Sequence, residues 1–280
     1  MRADFPAGSS PSASWRASLA LGYARAGAAT RLVQRTHRGP LRVQKALYPE
    51  GEGVCHNIVL HPPAGIAGGD ELCIDIMAEA ASHALLTTPG AAKWYRANGK
   101  PAWQRVTIRL AQDARLEWLP QETIFFDATD AHLVQEVELA PGARYLGCDI
   151  LCFGRNASGE RLAHGTVRQQ LQVHQSGRLL WWDQGVLHGG SSALQSPHVL
   201  DGATVCATML AAGRSADAAL MAQLRALDPA LGVTALKTVL VLRYLGHDAE
   251  QARQLMARAW QVLRPHWMDR PATELRIWNT

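Results

Sequence analysis

The sequence predicts a mainly β fold, in which antiparallel and mixed strands stack in layers like a β-helix and two α-helices lie near the C-terminus. Strand-like alternation of apolar and polar residues dominates from about residue 17 to residue 206. A unit of strand, short turn and returning strand recurs along this region. Helical periodicity begins only after it.

The clearest strand is residues 105–110, where Val106, Ile108 and Leu110 fall on one face with a period of two. A polar turn at residues 111–114 leads into a second strand-like segment at residues 115–118. This composition predicts an antiparallel hairpin.

The same unit recurs around Ser82, Ala114, Ala143 and Gly177, at intervals of 32, 29 and 34 residues. A repeat near this length in an all-strand region predicts stacked hairpins, each covering the face of its neighbour. A WD40 or kelch propeller needs longer units and signature residues that this sequence lacks. A layered or helical β stack is therefore favoured.

Two helices are predicted after the strands. Ser215 is a candidate N-cap for the first, which Pro229 ends, and Asp248 is a candidate N-cap for the second, which ends before Pro265. Residues 233–245 between them predict one or two buried strands. The two apolar faces carry Leu220, Met221, Leu224 and Leu227, and Ala252, Leu255, Met256, Ala259, Trp260 and Leu263.

Composition limits the class of protein. Of 280 residues, 48% are hydrophobic, and 28 basic residues against 24 acidic ones are scattered without basic runs. Nucleic acid is therefore not an expected partner. Residues 1–14 are rich in Ser, Ala, Pro and Gly and lack the apolar core of a secretory signal, which predicts a flexible tail.

No apolar run approaches the roughly 20 residues that cross a bilayer, so no membrane association is expected. The five cysteines show no Cys-x-x-Cys spacing. This pattern fits a reducing compartment, and we expect a cytoplasmic protein.

The glycine-rich segment His61–Asp70 resembles a phosphate loop but has no Gly-Lys-Ser or Gly-Lys-Thr. Residues 71–76 alternate apolar with other side chains, so the glycines lead into a strand and not into a phosphate-binding helix. We interpret the segment as a tight turn that ends in the carboxylate of Asp70.

Motifs for nucleophilic catalysis and for tight metal binding are absent from the sequence. There is no Gly-x-Ser-x-Gly elbow and no His-Glu-x-x-His. Cys55 and His56 are adjacent on a predicted strand and therefore point to opposite faces, one towards the core and one towards the surface. Cys148 and Cys152 share a face but lie about 13 Å apart along a strand, so we expect buried thiols.

Four carboxylates stand beside strongly apolar segments: Asp70, Glu122, Asp149 and Glu160. A buried carboxylate must be paired, hydrogen-bonded, hydrated or metal-bound, because an isolated charge in an apolar interior is too costly. A turn cap, or an ion pair with Arg96 or Arg155, would satisfy any one of them.

Six segments in register resemble the UreD (UreH) family of urease accessory proteins. They are Gly39-Pro40-Leu41, His61 to Asp70, Thr88 to Arg96, Leu116 to Phe126, Asp149 to Arg155 with Gly159-Glu160, and Leu263-Arg264-Pro265 followed by Arg276 to Thr280. The resemblance extends from Gly39 to Thr280 and implies a single UreD-like domain over residues 15–280. It also implies a β-rich stack with two helices near the C-terminus.

The resemblance implies a function. UreD-type proteins have no known enzymatic activity; they join UreF and UreG and dock on apo-urease while its dinuclear nickel centre is assembled. It implies no tightly bound cofactor, only transient Ni²⁺. Nucleotide hydrolysis would belong to UreG, because Lys93 here is not part of a Walker loop.

In that family polar and acidic residues line an internal, water-filled passage proposed to deliver Ni²⁺. Asp70, Glu122, Asp149 and Glu160 occupy the matching segments, and His61 and His164 are further candidates for the lining. Sparse oxygen donors suit a route that must release its cargo, because imidazole and thiolate hold Ni²⁺ more firmly. The sequence departs from the family pattern at three places. Ala64 stands where the family commonly has Gly, Ala92 where it commonly has Ser or Thr, and Leu275 where it commonly has Pro.

Two other functions are considered. One is a pure docking adaptor with a dry interior, whose candidate aromatic anchors are Trp94-Tyr95 and Ile277-Trp278. The other is a hydrolase that uses Glu122 with Asp149 as a carboxylate pair, which requires a shared pocket and two separated pKa values.

Overall fold

Stacked strands dominate the chain. The computed structural model describes residues 15–63 and 65–279, so the predicted tail at residues 1–14 and the departure at Ala64 lie outside the described residues. The strands are β1 Arg16–Ala26, β2 Ala29–Arg38, β3 Arg42–Val43, β4 Cys55–Leu60, β5 Gly65–Ile66, β6 Glu71–Ala78, β7 His83–Thr87, β8 Ala92–Trp94, β9 Ala102–Leu110, β10 Arg115–Leu119, β11 Thr123–Phe125, β12 Thr129–Leu139, β13 Arg144–Phe153, β14 Gly165–Gln175, β15 Arg178–His188, β16 Val205–Ala212, β17 Gly232–Leu236 and β18 Val239–Gly246, and the helices are α1 Ala218–Arg225 and α2 Ala249–Met268.

Most strands belong to two sheets. The first sheet has the order β15-β14-β12-β9-β6-β1-β2, and the second has the order β17-β18-β16-β13-β10-β7-β4-β3. The central pairs of both are parallel, and β5, β8, β11 and the end of β13 form a short third row. The chain passes repeatedly between the first sheet, the second sheet and the short row. This path confirms the predicted mainly β fold with a β-helix-like stack.

The predicted hairpin over residues 105–118 is wrong. β9 lies in the first sheet and β10 in the second, so residues 111–114 turn a corner between sheets. Asp113 N donates to Pro141 O of the next corner at 3.1 Å, and Ala81 N of the preceding corner donates to Gln112 O at 2.9 Å. Alternation and turn composition are the same for a hairpin and for a corner, so only long-range pairing distinguishes them.

The repeat of about 30 residues is therefore a repeat of coils. Ser82, Ala114 and Ala143 occupy successive corners, and the first residues of β7, β10 and β13 lie side by side in the parallel register His83, Arg115 and Arg144. Of the four predicted units, the one around Gly177 alone is an antiparallel hairpin, formed by β14 and β15.

The helices follow the prediction with two corrections. Asp217, not Ser215, caps α1 by accepting a hydrogen bond from Leu220 N at 2.8 Å, whereas Asp248 caps α2 as predicted. Helix α2 does not end before Pro265 but continues to Met268. Pro265 has no N–H to donate to the backbone carbonyl one turn earlier. Because Pro265 is exposed, water can donate to that carbonyl instead.

The core has two parts. One fills the space between the two sheets and the short row. There the ring of Phe125 stacks on Phe153 with centroids 5.8 Å apart and contacts the tilted ring of Trp94 at 6.0 Å. The other lies between the second sheet and the helices, and it contains Cys148 and Cys152 as the expected buried thiols. Neither described helix combines the length and apolar character needed to cross a bilayer.

Candidate functional site

A cavity of about 230 Å³ lies between the two sheets, among the inward-facing side chains of the coils. Stacking in register would fill each inner row with aliphatic side chains, and in one row Ile74, Val106 and Leu171 do so. Gln135 interrupts that row, and Gln169 also lines the cavity. The interior here therefore presents amide groups beside apolar ones.

Asp149 of β13 points into this cavity. Burial raises the pKa of its carboxyl from 3.8 to about 6. Among the described residues its carboxylate has no hydrogen-bond or ion-pair partner. Its neighbours Cys148 and Ile150 face the other way and pack against the helices. The side chain is only partly accessible to solvent. A carboxylate in such a place without a protein partner must be protonated, hydrated or bound to a cation.

Two residues before Asp149, a glycine makes room for a tyrosine. A Cβ on Gly147 would lie 2.0 Å from the Tyr145 hydroxyl oxygen, so the ring of Tyr145 extends along the strand over Gly147. Gln135 Nε2 donates to that hydroxyl. Burial, followed by the negative charge of Asp149, raises the pKa of Tyr145, so the tyrosine stays protonated.

His61 also lines the cavity. Burial lowers the pKa of its imidazole, and the charge of Asp70 opposes this only in part, so the ring is neutral at pH 7. Asp70 itself accepts hydrogen bonds from Ala67 N and Trp15 N, both at 2.9 Å. It therefore caps the glycine-rich turn.

The other sequence candidates lie outside the cavity lining. Glu122 pairs with Arg253 of α2 at 3.4 Å. Glu160 pairs with Arg155 at 2.7 Å, as the sequence allowed. His164 is exposed, and its Nδ1 lies 3.0 Å from the carboxylate of Asp127. The backbone N–H of Asp127 donates to the Glu160 carboxylate at 3.1 Å.

The cavity thus brings His61 and Asp149 together, whereas Asp70, Glu122, Glu160 and His164 each contact protein groups elsewhere. In the described part of the chain, no three or more His, Cys, Asp or Glu side chains are placed to hold a metal ion. The contribution of these six residues to nickel handling stays a prediction. Ala92 lies on the cavity wall, so the hydroxyl that the family commonly has there would add to its polar lining.

Sequence reasoning missed a buried ionic network centred on Arg264 of α2. The guanidinium donates from Nε to both oxygens of Glu117 at 3.0 Å and from its two terminal nitrogens to Glu50 at 2.9 and 2.6 Å. His83 contacts Glu117 at 2.9 Å, and His56 contacts Glu50 at 2.6 Å. His56 and Cys55 are both buried, so the expectation that one of them lies at the surface is wrong.

The network changes the titration of its members. Burial alone would raise the pKa of Glu50, but hydrogen bonds from His56 and Arg264 lower it to about 2. Contacts with His83 and Arg264 lower the pKa of Glu117 in the same way. Burial lowers the pKa of His83 more than Glu117 raises it.

Two sequence signals indicate this network. Glu117 stands within the apolar run of residues 116–119, and Arg264 lies four residues after Trp260 on the apolar face of the predicted helix. A charge in each of two buried faces indicates that they pair with one another. Trp260 Nε1 completes the arrangement by donating to Glu117 at 2.7 Å.

The aromatic candidates for docking are largely part of the core. Trp94 is buried, and Tyr95 beside it is exposed. Trp278 donates from Nε1 to the Thr87 hydroxyl at 2.8 Å and packs against Trp260. Leu275 is buried in the helix-side core, so this departure from the family pattern still packs.

Comparison with known proteins gives a consistent result. A family model described as "UreD urease accessory protein" matches residues 16–279. A urease accessory protein UreD of Janthinobacterium sp. (strain Marseille) is 51% identical over 271 residues, which cover 95% of this chain and 92% of the relative. One from Dechloromonas aromatica (strain RCB) is 51% identical over 276 residues, 96% of each chain. One from Pseudomonas fluorescens is 48% identical over 269 residues, 95% of this chain and 96% of the relative.

Proposed function

Because this chain belongs to the UreD family of urease accessory proteins, we propose that it is a non-catalytic chaperone of urease maturation. It binds apo-urease together with UreF and UreG, and its interior gives Ni²⁺ a route towards the urease active site. Nickel is a passing cargo and not a resident cofactor.

The observation that carries this proposal is the unpartnered carboxylate of Asp149 in the cavity between the sheets. A cation that enters the cavity would restore the interaction that burial denies this carboxylate. Neutral His61 is a nitrogen donor that also lines this cavity. Two donors are fewer than a stable protein site provides, which suits a residue that must release its metal.

The remaining candidates have supporting positions in this proposal. Asp70 holds the turn that carries His61, because it accepts hydrogen bonds from Ala67 N and Trp15 N. Glu122 is engaged by Arg253, and Glu160 by Arg155. We therefore assign direct contact with Ni²⁺ to Asp149 first and His61 second.

The arrangement gives no support to the hydrolase alternative. Glu122 pairs with a helix residue, whereas Asp149 faces the space between the sheets, so the two carboxylates do not line the same cavity in the described part of the chain. A carboxylate pair needs a common substrate to act as acid and base. We accordingly propose that the protein acts by binding and transfer alone.

The test is the substitution Asp149→Asn, made in a strain that expresses urease with all its accessory proteins. The expected result is urease with less nickel and less activity, while the variant still co-purifies with apo-urease, UreF and UreG. Asp75→Asn is the matched control, because it makes the same chemical change at an exposed position on the outer face of the first sheet.

Normal nickel content in the Asp149→Asn strain would contradict the route and leave the docking adaptor with a dry interior. If the unsubstituted protein does not co-purify with apo-urease, UreF and UreG, the maturation role itself is contradicted. The two readouts are independent, because one measures metal in urease and the other measures assembly.

A further inference from the structure

Three arginines converge on one carboxylate beside the C-terminus of α2. Arg115 and Arg144 lie 2.8 and 2.7 Å from Oδ2 of Asp269, and Arg214 lies 2.8 Å from Oδ1. Asp269 is the only ion-pair partner that these three guanidinium groups have among the described residues. Each of the four side chains is partly exposed.

The coil architecture creates this arrangement. Arg115 and Arg144 are the first residues of β10 and β13 and are direct neighbours in the parallel register. Both also donate to the last turn of α2, Arg115 to Met268 O at 2.7 Å and Arg144 to Trp267 O at 3.0 Å. These contacts bind the helix end to the second sheet. Of the residues that the structure describes, Arg214 reaches only Asp269, so it makes no such contact with the helix end.

Positive charge is in excess at this point. Asp269 neutralises one arginine, and the C-terminus of a helix supplies roughly half a negative charge, so about 1.5 positive charges remain. Burial and then repulsion from Arg144 lower the pKa of Arg115, and Arg270 and Arg214 add to that repulsion. A second anion would therefore stabilise the group.

Hydrogen-bond donors are available for such an anion. In the described residues, Nε and Nη2 of Arg214 and Nε and Nη2 of Arg144 have no acceptor. A guanidinium fork matches the two oxygens of a carboxylate. Contacts with Asp269 and the helix end already hold the guanidinium groups in place, so little rotamer entropy remains to be lost on binding.

We propose that Arg115, Arg144 and Arg214, gathered around Asp269, form a docking site for an acidic segment of a partner protein. The choice of a protein partner rests on the proposed role in assembly. Nucleic acid is disfavoured because its phosphates are recognised by a stripe or broad patch of basic residues. This site is compact, and the formal net charge of the chain is only +4, from 28 basic and 24 acidic residues.

The experiment measures binding of a fluorescein-labelled hexaglutamate peptide to the purified full-length protein by fluorescence anisotropy at low salt. Arg214→Glu is expected to weaken binding by about tenfold, because it replaces a charge-assisted donor with a repelling group. Asp269→Asn is expected to tighten binding, because it removes the competing charge and keeps an acceptor for the arginines. Arg35→Glu is the control, a matched charge change at an exposed position of β2.

Opposite effects of Arg214→Glu and Asp269→Asn would support the site, because a role confined to holding the helix end predicts only a lower melting temperature for both. No binding by the unsubstituted protein, or equal losses in Arg214→Glu and Arg35→Glu, would overturn it. Tighter binding of a hexathymidylate, or full competition by millimolar inorganic phosphate, would overturn the assignment to an acidic protein segment. None of these outcomes depends on nickel transfer, so the maturation role stands or fails separately.

Discussion

Arg264 of α2 and Glu117 of β10 form a fully buried ion pair, in which the arginine Nε donates to both carboxylate oxygens at 3.0 Å. The residues are 147 positions apart in the sequence. Because the other guanidinium nitrogens reach Glu50, one side chain joins the C-terminal helix to the second sheet and to the loop before β4. The position of α2 therefore depends on electrostatic pairing as well as on apolar packing.

Replacing Arg264 should destabilise the fold strongly. Arg264→Met leaves the carboxylates of Glu117 and Glu50 without their cation, and removing one partner of a buried pair costs about 3–5 kcal/mol. Urea denaturation at pH 7.5 measures the change. Arg253→Met on the same helix is the control, since Arg253 forms partly exposed pairs and exposed pairs contribute about 0–1 kcal/mol. A loss in Arg264→Met no larger than in this control would contradict the prediction.

His83 should make folding sensitive to mild acid. Burial lowers the pKa of His83 in the folded protein below its ordinary value near 6.5, so the unfolded chain takes up this proton first as the pH falls. Stability is then lost as the pH drops from 7 through about 6.5 towards 5. His83→Gln removes this contribution. The difference in unfolding free energy between the native sequence and His83→Gln should shrink over that range, and a constant difference would show that His83 does not titrate on unfolding.

Asp149 should carry a stability cost at neutral pH. Its pKa in the folded protein is raised from 3.8 to about 6, so the folded state binds the proton more tightly than the unfolded state. Above pH 6 the partly buried charge opposes folding, and Asp149→Asn should raise the free energy of unfolding by about 1–3 kcal/mol. The gain should fall away between pH 6 and pH 4, as both states become protonated.

Unfolding of Asp149→Asn and of Asp75→Asn is compared at pH 7.5 and pH 4. Asp75 is exposed on the outer face of β6, so its substitution should change stability little at either pH. A destabilised Asp149→Asn at pH 7.5 would indicate that the carboxylate has a stabilising partner.

Gly147 should tolerate no side chain. Gly147→Ala places a Cβ 2.0 Å from the Tyr145 hydroxyl, which forces the ring away from Gln135 and costs about 1–3 kcal/mol. Gly185→Ala is the control, because nothing lies within 4 Å of its added Cβ. Thermal unfolding of the two variants gives the comparison, and similar melting temperatures would mean that Tyr145 moves freely.

Residue types and their local spacing were sufficient to predict much of the architecture. The period-two segments predicted the strands, Asp248 predicted the start of α2, and the interval of about 30 residues predicted stacked units. These features depend on neighbours in the sequence, so the sequence displays them directly. The hairpin at residues 111–114 could not be distinguished from a corner, because β10 pairs with β7 and β13, which are distant in sequence, and not with β9.

The candidate site was predictable only in part. The sequence identified Asp149 and His61 as members of a larger set, but it did not separate them from Glu122 and Glu160, which have arginine partners.

By itself, the sequence determined that this chain is a β-rich stack with late helices and that it belongs to a urease accessory family, because strand periodicity, helix caps and motif order are local properties. The tertiary structure alone decided which charges meet. Arg264 finds Glu117, three arginines surround Asp269, and Asp149 is left unpaired in a cavity. Each outcome depends on the register between coils distant in sequence, and that register sets whether a given carboxylate is neutralised by an arginine or left unpaired.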